Sequence, residues 1–201
     1  MVSTRDIGPG VGPGVGGRDW LGDRACLDFV NTAYADGGDR LNGPPDLAAW
    51  LWEAGLVPSR VPINHHLYEQ ALELRGAIDL GVEAVATGRS VPVTAVEVVN
   101  GWMERAERQV LSVEGGTPVL RPLAASDFAA AALSQLAVDA ARLLGTGQRA
   151  RVRICAGGCG LRFFDHSPAG RRRWCSMQRC GNAAKARRYR AGARRTPPDP
   201  A

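Results

Sequence analysis

Cys155, Cys159, Cys175 and Cys180 are the residues of this chain whose type and spacing suit chemistry. They read C-x3-C, fifteen intervening residues, then C-x4-C. Two close thiol pairs on either side of a short connector bring four sulfurs to one tetrahedral metal ion. Zn2+ is the expected ion, although four thiolates also suit iron or an iron–sulfur cluster. Four protein ligands close the site and leave no position for a substrate, which argues for a structural ion over a hydrolytic one. His166 lies in the connector and could replace a cysteine, but it reads better as a surface residue beside a turn. Cys26 sits far away in an apolar run and reads as a buried, inert thiol.

Basic residues surround the cysteines. From Arg149 onward the chain holds fourteen Lys and Arg against Asp165 and Asp199, a net of +12. The remainder holds eleven basic and eighteen acidic residues, a net of −7. A split of that size is an interaction signature, and with a small metal knot it points to nucleic acid. Arg171, Arg172 and Arg173 are expected to grip phosphates. On the last helix Arg179, Lys185, Arg187, Arg188 and Arg190 alternate with small alanines, so that helix can approach a groove closely. Asn182 is placed for an adenine edge, or for a local hydrogen bond that holds the metal loop. Double-stranded DNA is the expected partner. RNA or a protein such as RNA polymerase is the alternative, though Phe163, Phe164 and Trp174 are the one close set of aromatic platforms.

These residues need elements to hold them. Leu161 to Asp165 is predicted as a strand, Ser167 to Gly170 as a turn, and Arg172 to Cys175 as the return strand. Ser176 should cap a helix from Met177 to about Arg190, with Cys180 in its first turn. Knuckle, β-hairpin and helix together make a small treble-clef-like zinc finger over 148–191. Its few large apolar side chains cannot form a sufficient core, so the metal must supply much of the folding energy.

Upstream, residues 1–17 form a Gly/Pro-rich leader expected to be disordered, like the tail 192–201. Between them, 18–147 reads as a mainly α domain with a short β-hairpin. Ala25 to Thr32 suits a buried strand or the start of a helix. Asp46 is a candidate N-cap for a helix to Ala54, and a longer helix runs from about Asn64 to Thr87 before Gly88. A third starts near Thr94 with Val96, Val99, Trp102, Ala106 and Val110 on one face. Leu111 to Leu123 reads as a hairpin around Gly115-Gly116, and Ser126 as the cap of an alanine-rich helix from Asp127 to Leu144. Gly145-Thr146-Gly147 is a candidate hinge. Trp50, Trp52 and Trp102 belong to the core or a subunit interface.

No apolar run approaches the roughly 20 residues of a membrane span, and no signal-peptide pattern opens the chain. A cytoplasmic protein without a membrane partner is expected, in which clustered cysteines favour metal over disulfides. Neither a P-loop nor a dinucleotide-binding glycine pattern is present, and His65-His66 has no partner constellation, so no enzyme is expected.

The string Cys155-x3-Cys159-Gly160-x-x-Phe163-Phe164-Asp165-x-Ser167, followed by Arg172-Arg173-Trp174-Cys175-Ser176-Met177-x-x-Cys180-Gly181-Asn182 and Lys185-Ala186-Arg187-x-Tyr189-Arg190, resembles the CGNR zinc-finger family. These are bacterial proteins regarded as stress-induced transcription regulators. In that family the finger follows a helical ABATE domain. Leu27-Asp28-Phe29-Val30-Asn31-Thr32, Leu47 to Leu51 with Gly55-Leu56, and Glu73-Leu74-Arg75 resemble that domain too. The resemblance implies transcription regulation, with an N-terminal domain that senses a small-molecule effector or forms a homodimer. Asp28, Asn31 and Arg75, polar residues in or beside apolar runs, are then the candidate ligand contacts, the alternatives being capping or turn roles for Asp28 and Asn31 and an exposed helix position or structural ion pair for Arg75. The family motif ends in arginine where this chain has Ala183. The four metal positions are intact, and Arg179 or Arg187 is the candidate to compensate.

Overall fold

The computed structural model describes residues 20–34, 38–105, 109–122 and 127–193. The leader 1–17, Ser126 and the tail from Arg194 lie outside the described residues. The run from Ala25 is helical: α1 (Ala25–Asn31) continues into a 3-10 turn over Thr32–Tyr34. Cys26, Leu27, Phe29 and Val30 are fully buried because α5, α3 and β4, defined below, all pack against this short helix.

α2 (Pro44–Glu53) begins before the predicted cap. Pro44 starts it, with a fixed φ and no N–H to leave orphaned, and Gly43 is the N-cap. Asp46 instead lies in the first turn and accepts the Asn42 N–H at 2.9 Å. α3 (His65–Thr87) is bounded as read: the Asn64 side chain accepts the Leu67 N–H at 2.8 Å, and Gly88 closes the helix in the left-handed conformation at φ +71°. α4 (Val93–Met103) buries Ala95, Val99 and Trp102, while Val96 is exposed. It stops at Met103, so the predicted face ran too far: Val110 belongs to β1 (Gln109–Glu114). β1 pairs antiparallel with β2 (Thr117–Pro122), Leu111 opposite Leu120.

α5 (Phe128–Gly145) is capped by Asp127, whose carboxylate accepts the N–H groups of Ala129 and Ala130, both at 3.0 Å. Among the described residues it is the one helix long and apolar enough to cross a membrane. That apolarity serves the core: Ala132, Leu133, Leu136, Ala137, Ala140 and Leu143 are fully buried against α1, α3 and α4. In place of the predicted hinge, Thr146 donates its hydroxyl to the Arg142 carbonyl and caps a 3-10 helix, Gly147–Arg151.

The chain then forms β3 (Val152–Ile154), a loop, β4 (Arg162–Phe164), a long turn, a π-helical turn over Met177–Gly181, and α6 (Asn182–Ala193). Knuckle, hairpin and helix are all present, but β4 pairs with β3, not with Arg172 to Cys175. The latter stretch bonds elsewhere. The Arg172 N–H donates to the buried Asp165 carboxylate at 2.9 Å, and the Arg173 carbonyl accepts from the Ala156 N–H at 2.9 Å.

Candidate metal centre

The β3–β4 ladder sets Val152 opposite Phe164 and Ile154 opposite Arg162, so the loop between them is the first cysteine knuckle. The Cys155 N–H donates to the Leu161 carbonyl at 2.9 Å and closes that loop. Gly157 lets it approach the second pair: a Cβ there would lie 2.6 Å from Cys180 Cβ. On the other side, the Ser176 hydroxyl accepts the Arg179 N–H and starts the wide turn that carries Cys180.

These constraints bring the four Sγ atoms within 4.8 Å of one another. Cys159–Cys175 and Cys175–Cys180 are each 3.8 Å apart. Zinc–sulfur bonds of about 2.3 Å in a tetrahedron give a sulfur–sulfur edge of about 3.8 Å, so the spacing fits the ion. The sulfurs also sit among donors. Burial opposes charge on Cys155, but the N–H groups of Cys175 and Gly157 point at its sulfur and bring its pKa below the ordinary thiol value. Burial, then the neighbouring Cys155, pushes Cys175 well up. Burial and hydrogen bonds with Cys159 and Cys155 raise Cys180 to about 11. A dication held among the four sulfurs would favour their thiolate forms, with release of protons. Bound there, zinc supplies charge and a cross-link between knuckle and helix, with no open position for catalysis.

The predicted nucleic-acid residues divide into two groups. Arg172 is committed inward: it pairs with Asp23 at 2.9 Å, donates to the Trp174 and Cys175 carbonyls, and lies over the Phe163 ring. Arg171, Arg173, Arg179, Asn182, Lys185, Arg187, Arg188 and Arg190 are exposed. Arg173 stacks on Trp174, and Arg187 reaches the Gly157 carbonyl at 3.3 Å. Three further arginines from the basic count are engaged within the fold, Arg151 and Arg153 partly buried and Arg162 buried. Arg151 bonds the Asp165 and Ser167 carbonyls, Arg153 those of Ala150, Val152 and Gly170, and Arg162 is 5% exposed.

Arg162 is the residue that pattern reading missed. It shares a β4 face with Phe164, and that face meets the helical domain. Its guanidinium pairs with Asp79 of α3 at 2.8 Å, donates to the Tyr34 hydroxyl at 2.8 Å, and lies 3.9 Å from the centre of the Tyr34 ring. Burial, then the hydrogen bond to Asp79, holds the Tyr34 hydroxyl up at about 12, so it stays a donor to that carboxylate. The available signal was an arginine between two apolar neighbours in a strand, with Asp79 and Glu83 one turn apart on a helix.

Asp28, Asn31 and Arg75 each have a partner within the fold. Asp28 accepts the Gly22 N–H at 2.7 Å. Asn31 grips β4 through both its amide atoms, bonding the Arg162 N–H and carbonyl, each at 2.8 Å. Arg75 bonds the Thr32 hydroxyl at 2.9 Å and forks onto Asp39 at 2.8 and 2.5 Å.

Two family models match the chain. The ABATE model, described as "Putative stress-induced transcription regulator", matches residues 23–147, more than half of the chain. The CGNR zinc finger model matches residues 151–193, which hold all four cysteines. No curated protein matches the chain. The zinc-finger match and the four-sulfur geometry agree on Zn2+ as the cofactor.

Proposed function

The chain belongs to the ABATE family and ends in a CGNR zinc finger, and on that premise we propose that it is a transcription regulator whose finger binds duplex DNA. The helical domain then carries the signal, through an effector or a second copy of the chain, and the protein works in the cytoplasm without catalysing a reaction. One observation carries the DNA reading. From Lys185 to Ala191 every residue of α6 is exposed, and the helix presents Lys185, Arg187, Arg188 and Arg190 with no acidic residue. A helix polar on all sides that packs on so little protein is suited to a polyanionic partner. Arg171, Arg173 and Arg179 are exposed too, and Arg173 lies beside Arg187 and Arg188. Ala183 is also exposed, so its replacement of the family arginine removes one potential contact without disturbing the fold.

Binding of duplex DNA by the zinc-loaded chain should weaken steeply with salt. Seven exposed cations set the limit, a log–log slope no steeper than about −6. Alanine at Arg187 and Arg188 together should flatten that slope by about 2. A slope near zero, or binding indifferent to both substitutions, counts against duplex DNA and favours RNA or a protein as the partner.

A further inference from the structure

The finger holds a cleft of about 230 Å3 between the first cysteine knuckle and α6, lined by Ala156, Arg173, Trp174, Ala184, Arg187 and Arg188. Three guanidinium groups surround one indole, the two remaining lining residues are alanines, and no carboxylate is among them. Among the described residues, no acidic side chain pairs with Arg173, Arg187 or Arg188. The nearest acid in the finger sequence, Asp165, is fully buried and accepts the Ser167 and Arg172 N–H groups.

The walls are fixed. Ala156 adjoins Cys155, Trp174 adjoins Cys175, and Ala184 lies one helical turn beyond Cys180, so each wall is tied to a thiol of the metal centre. The Ala156 N–H to Arg173 carbonyl bond and the Arg172 bond to the Trp174 carbonyl hold the knuckle and the aromatic wall in place. The backbone of the cleft is thus held before a ligand arrives, while the exposed guanidinium groups of Arg173, Arg187 and Arg188 are ordered on binding.

We propose that this cleft binds one nucleotide unit, its phosphate between Arg173, Arg187 and Arg188 and its ring or sugar against Trp174. Guanidinium groups recognise phosphate oxygens through paired, charge-assisted hydrogen bonds, and the indole, over which Arg173 lies, offers its remaining apolar surface beside them. The volume of about 230 Å3 is below the roughly 300–1,000 Å3 of sites that enclose drug-sized ligands, so the cleft would hold one nucleotide unit only in part, with the rest in solvent. The nucleotide is either a unit of a nucleic-acid strand or a free one. This extends the reading of the finger as a DNA binder, and the test separates the two.

The experiment titrates deoxyadenosine 5′-monophosphate and, in parallel, deoxyadenosine into the zinc-loaded full chain while following tryptophan fluorescence. The monophosphate should give a saturable change and the nucleoside none. Trp174→Phe should abolish the change while circular dichroism and zinc content stay the same. Arg173→Gln and Arg188→Gln should each weaken binding roughly tenfold, the scale of one charge-assisted contact. Competition by duplex DNA assigns the site to nucleic-acid phosphates, and its absence assigns it to a free nucleotide. No saturable response to the monophosphate, with DNA binding intact, overturns the cleft and leaves the DNA reading standing. A response to the monophosphate without any DNA binding does the reverse. Faster zinc loss in the arginine variants, with nucleotide binding unchanged, would mean that the cations serve the thiolates, and the proposal falls.

Discussion

Asp28 occupies the seam where the helical domain meets the finger. Its carboxylate holds the Gly22 N–H, and the Gly22 carbonyl accepts the Phe164 N–H at 2.9 Å. Burial pushes the Asp28 pKa up to about 7 against the Gly22 hydrogen bond, and Asp23 and Asp139 add to the rise. An unfolded chain loses this proton near pH 3.9, so the folded state keeps it about three units longer. Between roughly pH 4 and pH 7 the unfolded state binds fewer protons, so this group lowers stability as pH rises, by at most about 4 kcal/mol. Asp28→Asn keeps an oxygen to accept from Gly22 and removes the titration. Thermal melts at pH 5, 6, 7 and 8 should show the variant gaining on the parent as pH increases, by several °C at pH 8 given about 2–4 °C per kcal/mol at this size. A gap that stays constant with pH, or reverses, would remove Asp28 from the acid–base behaviour of the fold.

β4 and α3 show at the scale of elements what was legible in the sequence. α3 was readable because its limits are local: Asn64 caps one end, Gly88 closes the other, and the apolar positions keep a helical period between them. α1 stayed ambiguous because a helix covered on several sides has no polar face to give it a period. The partner of β4 was misplaced for a different reason. β3 is three residues long and contains Arg153, so it has no strand signature of its own, and its pairing depends on the knuckle that follows. The four cysteines were legible from spacing alone. The inward roles of Arg162 and Arg172 were not, since their acidic partners Asp79 and Asp23 lie far away in sequence. Arg162 is the element-scale test. Arg162→Ala would leave Asp79 partly buried without its cation and should cost about 3–5 kcal/mol in urea unfolding of the zinc-loaded chain. Combining it with Asp79→Ala should restore at least 1 kcal/mol relative to the sum of the single changes, because the two residues interact directly. Full additivity would mean that the ion pair does not join β4 to α3.

At the scale of the molecule the metal centre and the helical domain share structure. Val152 of β3 belongs to the main core, and Phe164 of β4 packs against it. Phe163 points the other way, into a second small core with Leu161, Cys155 and Cys175. One short hairpin therefore contributes to both cores, and Asn31, Arg162 and the Asp23–Arg172 pair fasten the two halves across it. The second core is too small to hold its shape without the cross-link, so loss of zinc should release the hairpin and with it the partners of α1. Chelation of zinc, or Cys175→Ser, should accelerate amide exchange in α1 at least roughly tenfold while the α4–α5 contact stays slow, since α5 buries its face against helices and not only against the finger. Unchanged exchange in α1 would show two independent units. Coupling free energies are reciprocal, so if zinc loss loosens α1, a change that tightens α1 and α3 should raise the affinity for zinc, which a zinc titration of the chain would read.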